Sequence, residues 1–204
     1  PAIHPYGDNW DAGGYDTVSL RACAKNNITI GSVQDAMSGG ARSVPAGAMT
    51  YYSSWGPTDD GRVKPDVMAN GDMVYSCSAL GDSAYYTLSG SSMACGAASG
   101  AATLMADCYA RMFSNGVMRA STLKGLIIHS ADDIENAGPD YRTGWGLMNI
   151  AAGCEQIRRH AMYPETVLMR EDSLSDTNGA DTFSFAWTNG GPIRATLCWT
   201  DPAG

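Results

Sequence analysis

The stretch from Leu88 to Ala94 holds the residues best suited to chemistry, because a serine-rich turn lies there between a β-prone run and a run of small residues. This order predicts a strand, a turn and then a helix with Ser92 at its N-terminus. Unpaired N–H groups and the positive end of the dipole favour negative charge at that end of a helix. A serine that attacks a carbonyl group creates such a charge there. The arrangement is typical of acyl transfer with Ser92 as the nucleophile.

The same serine has a simpler interpretation as an N-cap, a position that serine favours. A serine nucleophile also needs a positioned base, and the three histidines are scattered along the chain. We interpret His4 as a loop residue, His129 as a structural helix residue and His160 as a cation near a helix end. The pattern by itself leaves both interpretations of Ser92 open.

The elements around the turn are short strands and one unusual helix. The β-prone runs predict strands at 28–33, 67–68, 74–76 and 85–88. Every residue in 94–103 is small and uncharged, and a helix without a polar face is normally buried. We therefore predict a long central helix over 92–113, ended by Asn115 and Gly116, with Cys95 in the core.

Two amphipathic helices are predicted to follow, from apolar residues that recur at helical spacing. Ser121 is placed as the cap of the first, and Asn149 lies near the start of the second. The residues assigned to one face are Leu123, Leu126, Ile127 and Ser130 in the first helix, and Leu147, Ile150, Ala151, Cys154 and Ile157 in the second.

Beyond Tyr163 the apolar period changes to two. Phe183, Phe185 and Trp187 alternate with smaller residues, as do positions 193–199, and a hairpin turn is predicted at 188–192. Two or three strands are not stable alone. We expect one domain over 1–162 and the beginning of a second, all-β domain over 163–204, in a chain whose two ends both look cut.

Composition excludes several classes of function. The chain has 204 residues, with 13 Lys and Arg against 21 Asp and Glu and a net charge of −8, so it lacks the basic surface that nucleic acid binding needs. No apolar run approaches the ~20 residues of a membrane span. The six cysteines form no C-x-x-C motif, which argues against a zinc site. Their even number permits disulfides, but small buried residues would explain them equally well.

Several segments together resemble one known family. Residues 90–94 are similar to the Gly-Thr-Ser-Met-Ala segment of the subtilisin-like serine peptidases, the subtilases. The other matching stretches are 15–18 with 24–33, 53–57, 61–67, 123–132 and 144–149, and 196–202 resembles the start of the β-sandwich that follows the catalytic domain in some large secreted subtilases. The resemblance covers nearly the whole chain in the family's order.

The resemblance implies an α/β, subtilisin-like three-layer fold with a partial parallel sheet, followed by the start of an all-β sandwich or jelly-roll domain. It implies a serine endopeptidase that acts on polypeptides, with Ser92 as nucleophile and oxyanion donor, Ser91 in a supporting polar role and Gly90 beside the substrate. It also implies an extracellular or cell-surface location. Catalysis would need no cofactor. A structural calcium ion is compatible with the family but unplaced, and Asp59, Asp60, Asp132 and Asp133 are interpreted as solvated loop residues.

The sequence departs from the family pattern in two ways that bear on the expected peptidase activity. The family's catalytic Asp, His-Gly-Thr-His and Ala-Gly-Asn motifs are missing, so a required partner is the N-terminal half of the same chain. Gly96 stands where the family has Pro, which suits an early helix position better. We expect this 204-residue chain alone to be inactive and to aggregate or stay partly unfolded.

Two alternatives remain beside the peptidase. One is a non-catalytic, subtilase-like binding or adhesion protein, which the departure at Gly96 would suit. The other is an α/β-hydrolase that uses Ser92 with Asp132 and His160. The hydrolase pattern G-x-S-x-G requires glycine where this chain has Ala94, which argues against it.

Overall fold

The computed structural model describes residues 15–114, 116–166, 168–175, 179–186 and 190–200. The strands are β1 (Ile30–Val33), β2 (Met37–Ser38), β3 (Ala41–Arg42), β4 (Val67–Asn70), β5 (Val74–Cys77) and β6 (Tyr85–Leu88). The helices are α1 (Ser91–Met112), α2 (Ala120–Ser130) and α3 (Ile150–Met162), with short 3-10 turns at Val44–Ala46 and Pro164–Thr166. All four strands predicted from the β-prone runs are confirmed.

A small parallel sheet forms the centre of the fold. β1 and β4 pair in parallel, with Ile30 opposite Val67. On the other edge of β4, Met68 accepts a hydrogen bond from the N–H of Met148 at 2.9 Å and bridges to Leu147 in parallel. Leu147 therefore belongs to the sheet and not to the helix in which the spacing had placed it. The separation of parallel neighbours in sequence is what a crossover connection requires.

Alternation along β4 creates two apolar clusters, because neighbouring side chains of a strand point to opposite faces. Val67 and Ala69 join the cluster that also contains buried residues of α1, α2 and α3. Met68 points the other way, into a second cluster with Val33 and Leu147. The described residues thus contain a parallel sheet with a layer of three helices on one face, which confirms the predicted α/β class.

Only one stripe of α1 is buried, which corrects the prediction that the whole helix lies in the core. Ala94, Ala98 and Met105 are buried and Ala101 and Ala102 are half-buried, whereas the other small residues between them, including Cys95, are exposed. Small side chains allow a helix to pack closely, but they are buried only where another element covers them. Within the described part of the chain, β1, β4, α2 and α3 cover one side of this helix and leave the other side uncovered.

The ends of the two amphipathic helices are partly as predicted. Leu126, Ile127 and Ser130 are buried on one face of α2, but this helix begins at Ala120 after Arg119 and no side chain caps it, so the prediction of a Ser121 cap is wrong. Asn149 does cap α3, because its Oδ1 accepts from the N–H of Ala152 at 3.0 Å.

A buried ionic cluster joins α2 to the sheet. The Asp66 carboxylate lies 2.6 Å from Lys64 Nζ and 3.0 Å from Lys124 Nζ, and it accepts from the N–H of Thr29 at 2.7 Å. Lys64 Nζ also donates to Asn27 Oδ1 at 2.9 Å. Burial lowers the pKa of Lys64, and Asp66 opposes that shift. Every charge in this cluster has a partner, as a buried charge requires.

The residues after α3 do not form the predicted strands within the described ranges. Residues 179–186 and 190–200 contain no strand, while Trp187 and part of the predicted turn at 188–192 lie outside those ranges. Instead, Arg194 donates to the carbonyl oxygen of His129 at 3.1 Å, and Cys198 lies against Gly125. An alternating sequence needs a neighbouring strand before it can form a ladder, and this segment contacts α2 instead.

None of the helices in the described part of the chain has both the length and the apolar character needed to cross a membrane.

Candidate active site

The turn that carries Ser92 is attached directly to the end of the parallel sheet. The N–H of Gly90 donates to the carbonyl oxygen of Gly71, one residue after β4, at 2.7 Å. A side chain at Gly71 is impossible without rearrangement, because its Cβ would lie 2.6 Å from the carbonyl oxygen of Gly90 and would also meet the hydroxyl of Ser32. Glycine at this position therefore allows the sheet and the N-terminus of α1 to meet.

Ser92 is the second residue of α1 and does not cap it. The N-cap is Gly90, which has no side chain, and its carbonyl oxygen accepts from the N–H of Met93 at 3.0 Å. Ser92 is exposed, and neither its hydroxyl nor its N–H makes a hydrogen bond with the described part of the chain. The N-cap interpretation of this serine is thus wrong, and its hydroxyl and N–H both remain available to a ligand.

The two residues before Ser92 leave the site open. Ser91 is exposed, and its N–H also has no acceptor among the described residues. A Cβ added to Gly90 would make only ordinary contacts, at 3.6 Å from Met93 Sδ. The chain's own packing therefore does not require glycine at position 90, so the space beside Ser92 is available to a molecule that binds there.

A polar network that the sequence analysis missed holds this turn in place. Ser89 Oγ donates to Asp72 Oδ1 at 2.8 Å and accepts from the N–H of Met73 at 2.8 Å. The hydroxyl of Tyr52 donates to the carbonyl oxygen of Gly71 at 3.1 Å. These residues join β4, β5 and the turn before α1. Their separation in sequence gave no signal beyond the turn-forming Asn70-Gly71 pair.

No described histidine reaches Ser92. His129 lies on α2 with its Nδ1 3.0 Å from Thr196 Oγ1, and burial, followed by the nearby Arg194, lowers its pKa. His160 lies against the ring of Phe113 at 5.9 Å, with its Nδ1 buried and unpaired among the described residues. His4 falls outside the described residues. Within the described part of the chain, the candidate nucleophile Ser92 therefore has no histidine base beside it.

The Ser92, Asp132 and His160 set of the hydrolase alternative is not assembled. Asp132 forms an ion pair with Arg42 at 2.7 Å and accepts from Asn149 Nδ2 at 3.0 Å. Its partners therefore anchor the start of α3, and no hydrogen bond connects it to His160 in the described structure.

The candidate calcium ligands make protein contacts. Hydrogen bonds from Arg62 and then Thr58 lower the pKa of Asp60 to about 2, and Asp133 accepts from the N–H of Gly138 at 2.6 Å. Within the described ranges, no three His, Cys, Asp or Glu side chains come together in a way that could hold a metal ion.

Comparison of the sequence with known protein families identifies the family of this chain. Residues 6–146 match the peptidase S8, or subtilase, family. The chain belongs to the subtilase family. The family consists of serine proteases, and the match includes the turn with Ser92 and the sheet that supports it.

Several known proteases are similar to this subtilase chain. It is 27% identical over 182 residues to the serine protease/ABC transporter B family protein tagA of Dictyostelium discoideum, covering 76% of this chain and 10% of that protein. Its fold resembles the CspB protease of Clostridium perfringens, with a TM-score of 0.60, 21% identity, and coverage of 71% of this chain and 29% of that chain. It also resembles the patellamide maturation protease PatA, with a TM-score of 0.56, 20% identity, and coverage of 71% and 48%. The chain therefore spans less than half the length of each of these relatives.

Proposed function

We propose that this subtilase is an endopeptidase and that Ser92 is its nucleophile. The observation that carries the proposal is the position of Ser92 at the exposed start of α1, with a hydroxyl that caps nothing and an N–H without an acceptor in the described structure. A nucleophile and an oxyanion donor must both be unoccupied before substrate binds, and this residue offers both.

The reaction would pass through an acyl-enzyme. Ser92 Oγ attacks the carbonyl carbon of the scissile peptide bond while a base removes its proton, and the oxyanion forms beside the N–H of Ser92. The intermediate expels the amine, which receives that proton, and water then hydrolyses the ester. Gly90 leaves space for the peptide beside Ser92, and the hydroxyl of Ser91 supports the site.

The base comes from elsewhere in the protein. No described histidine contacts Ser92, and the sequence contains no His-Gly-Thr-His motif. We expect the N-terminal half of the catalytic domain to supply the His, the Asp and the oxyanion Asn. The same half would complete a three-layer fold and cover the uncovered face of α1. Residues after 162 would begin a β-sandwich domain.

The proposed reaction also bears on the cofactor requirement and the location of the protein. Acyl transfer by serine requires no metal or organic cofactor. A structural calcium ion is compatible with the family but is not assigned to any residue. An extracellular or cell-surface location follows from the resemblance to secreted subtilases.

Labelling with a fluorophosphonate tests the proposal, because this reagent captures a serine only when a base activates it. We expect the full protein to be labelled at Ser92, and Ser92→Ala to abolish both labelling and peptide hydrolysis. Ser99→Ala is the matched control, since Ser99 lies on the same helix and donates only to the carbonyl oxygen of Cys95 at 2.8 Å. A folded full protein that is not labelled would instead favour a non-catalytic binding function.

A further inference from the structure

Helices α1 and α3 pack tightly against each other at one point in the core. Gly153 of α3 lies against Met105 of α1, and a Cβ on Gly153 would collide with the terminal methyl group of Met105. Met105 is fully buried. Glycine at 153 therefore leaves room for the Met105 side chain between α1 and α3.

Two cysteines lie at this same point of approach. Cys108 is one turn after Met105 on α1, and Cys154 directly follows Gly153 on α3. The Cys108 thiol donates to the carbonyl oxygen of Cys154 at 3.9 Å, and Cys108 is a neighbour close enough to help raise the pKa of the Cys154 thiol. The hydrogen-bond partners of Cys23 and Cys77 are not cysteines.

We propose that Cys108 and Cys154 are a disulfide-forming pair, which closes a covalent link between α1 and α3 by exchange with a low-molecular-weight disulfide such as oxidised glutathione. A disulfide needs Cα atoms within about 7 Å and side chains that face each other. The tight packing at Gly153 and the contact of the Cys108 thiol with the Cys154 backbone favour both conditions. The inference concerns this pair alone and does not depend on the endopeptidase activity.

The exchange balances in two steps. The thiolate of one cysteine attacks glutathione disulfide and releases one glutathione, leaving a mixed disulfide on the protein. The second thiolate then attacks the protein sulfur of that mixed disulfide and releases the second glutathione. The protein loses two hydrogen atoms in total, and one glutathione disulfide becomes two thiols.

The surroundings make the reaction dependent on pH. Burial, and then the hydrogen bond with Cys108, raise the pKa of Cys154 to about 11. Because the thiolate is the attacking species, closure should become faster as pH rises above 7. The completed disulfide would join α1, which carries Ser92, to α3. Because the two cysteines are 46 positions apart, the link would also restrict the conformations of the unfolded chain.

Peptide mapping of the reduced, natively folded full protein tests the proposal. After incubation with oxidised glutathione at pH 8 and alkylation of the remaining thiols, we expect a cross-linked peptide that contains Cys108 and Cys154 and weighs two hydrogen atoms less than its two parts. The exposed Cys77 should carry glutathione or the alkyl group instead. The closed form should melt roughly 5–15 °C higher than the same protein after reduction.

Matched variants separate this pair from general oxidation. Cys77→Ser should keep the cross-link, whereas Cys108→Ser should abolish it. The mapping of the unmodified protein stands by itself if a variant fails to fold. The proposal is overturned if native Cys108 and Cys154 are alkylated or glutathionylated separately while Cys77 reacts with glutathione, or if they pair equally with other cysteines.

Discussion

The N–H of Gly90 donates to the carbonyl oxygen of Gly71 at 2.7 Å, at a contact where neither residue carries a side chain. This bond couples the end of the parallel sheet to the turn before Ser92. The position of Ser92 therefore depends on a contact between segments nearly twenty residues apart, and it does not depend on a helix cap.

Replacing Gly71 by alanine should disturb both the fold and the site. The added Cβ would lie 2.6 Å from the carbonyl oxygen of Gly90 and 3.0 Å from the Cβ of Ala94. We expect the free energy of unfolding to fall by about 1–3 kcal/mol and fluorophosphonate labelling to slow. Gly96→Ala is the control, because a Cβ at Gly96 meets no atom within 4 Å in the described structure, and it should stabilise α1 by up to about 1 kcal/mol. Urea denaturation measures the free energy of unfolding of both variants. Equal effects of the two substitutions would contradict a special role for Gly71 at this contact.

Gly90→Ala should separate activity from stability. Its Cβ would make only ordinary contacts within the chain, but it would occupy the space beside Ser92. We expect an unchanged melting temperature and a fall in kcat/KM of about tenfold to a hundredfold for peptide substrates, since small displacements of substrate are that costly. Full activity in this variant would show that substrate does not pass close to Gly90.

Removing the charge of Asp66 should destabilise the protein strongly. Asp66→Asn would leave Lys64 and Lys124 without their shared counter-ion, and the Lys64 side chain is 2% exposed. Breaking a buried ion pair costs about 3–5 kcal/mol. Asp107→Asn breaks an exposed pair with Arg111 and should cost at most about 0.5 kcal/mol. Chemical denaturation of the two variants should show this difference, and similar losses would argue against it.

Acid should destabilise the folded protein through Asp140, which lies in the loop before residues 144–148. Burial raises the pKa of Asp140, but hydrogen bonds from Thr143, Asn136 and Arg142 outweigh it, so the pKa lies below its ordinary value of 3.8. A lowered pKa in the folded state means that the contribution is complete above that ordinary value and is lost as pH falls through the folded pKa. The free energy of unfolding should therefore decline below about pH 4, and less steeply in Asp140→Asn. Identical pH profiles would exclude this role.

The polypeptide of residues 1–204 alone should show no measurable peptidase activity. In subtilisin, loss of the catalytic Ser or His lowers kcat by about 10⁶, and no described histidine contacts Ser92 here. We also expect a broad thermal transition and aggregation, because one face of α1 is uncovered in the described structure. Peptide hydrolysis assays and calorimetry check this, and a sharp transition at high temperature would contradict the second expectation.

Local patterns predicted most of the elements. The β-prone runs located β1, β4, β5 and β6, and the small-residue run located α1 to within one residue at each end. Asn149 was found because its side chain caps the helix that follows it. Such features depend on residues within about one turn of each other, so the sequence contains the information directly.

Predictions that needed a distant partner were less complete. Cys95 was assigned to the core from its small neighbours, yet it is exposed, since burial depends on what covers a helix. The alternation at 193–199 predicted a strand, but those residues contact α2 at His129 and Gly125 without forming a ladder. The Asp72–Ser89 bond also joins residues whose spacing has no recognisable pattern.

The sequence by itself indicated the family, through segments along nearly the whole chain that resemble subtilases, and the fold class, through local periodicity, and it singled out Ser92 as the candidate nucleophile. Only the tertiary structure decided that Ser92 caps nothing, that Gly71 holds its turn to the sheet, and that Cys108 meets Cys154. The physical reason is that hydrogen bonds and packing across α1, α3 and β4 depend on distances in space, which residue spacing along the chain does not specify.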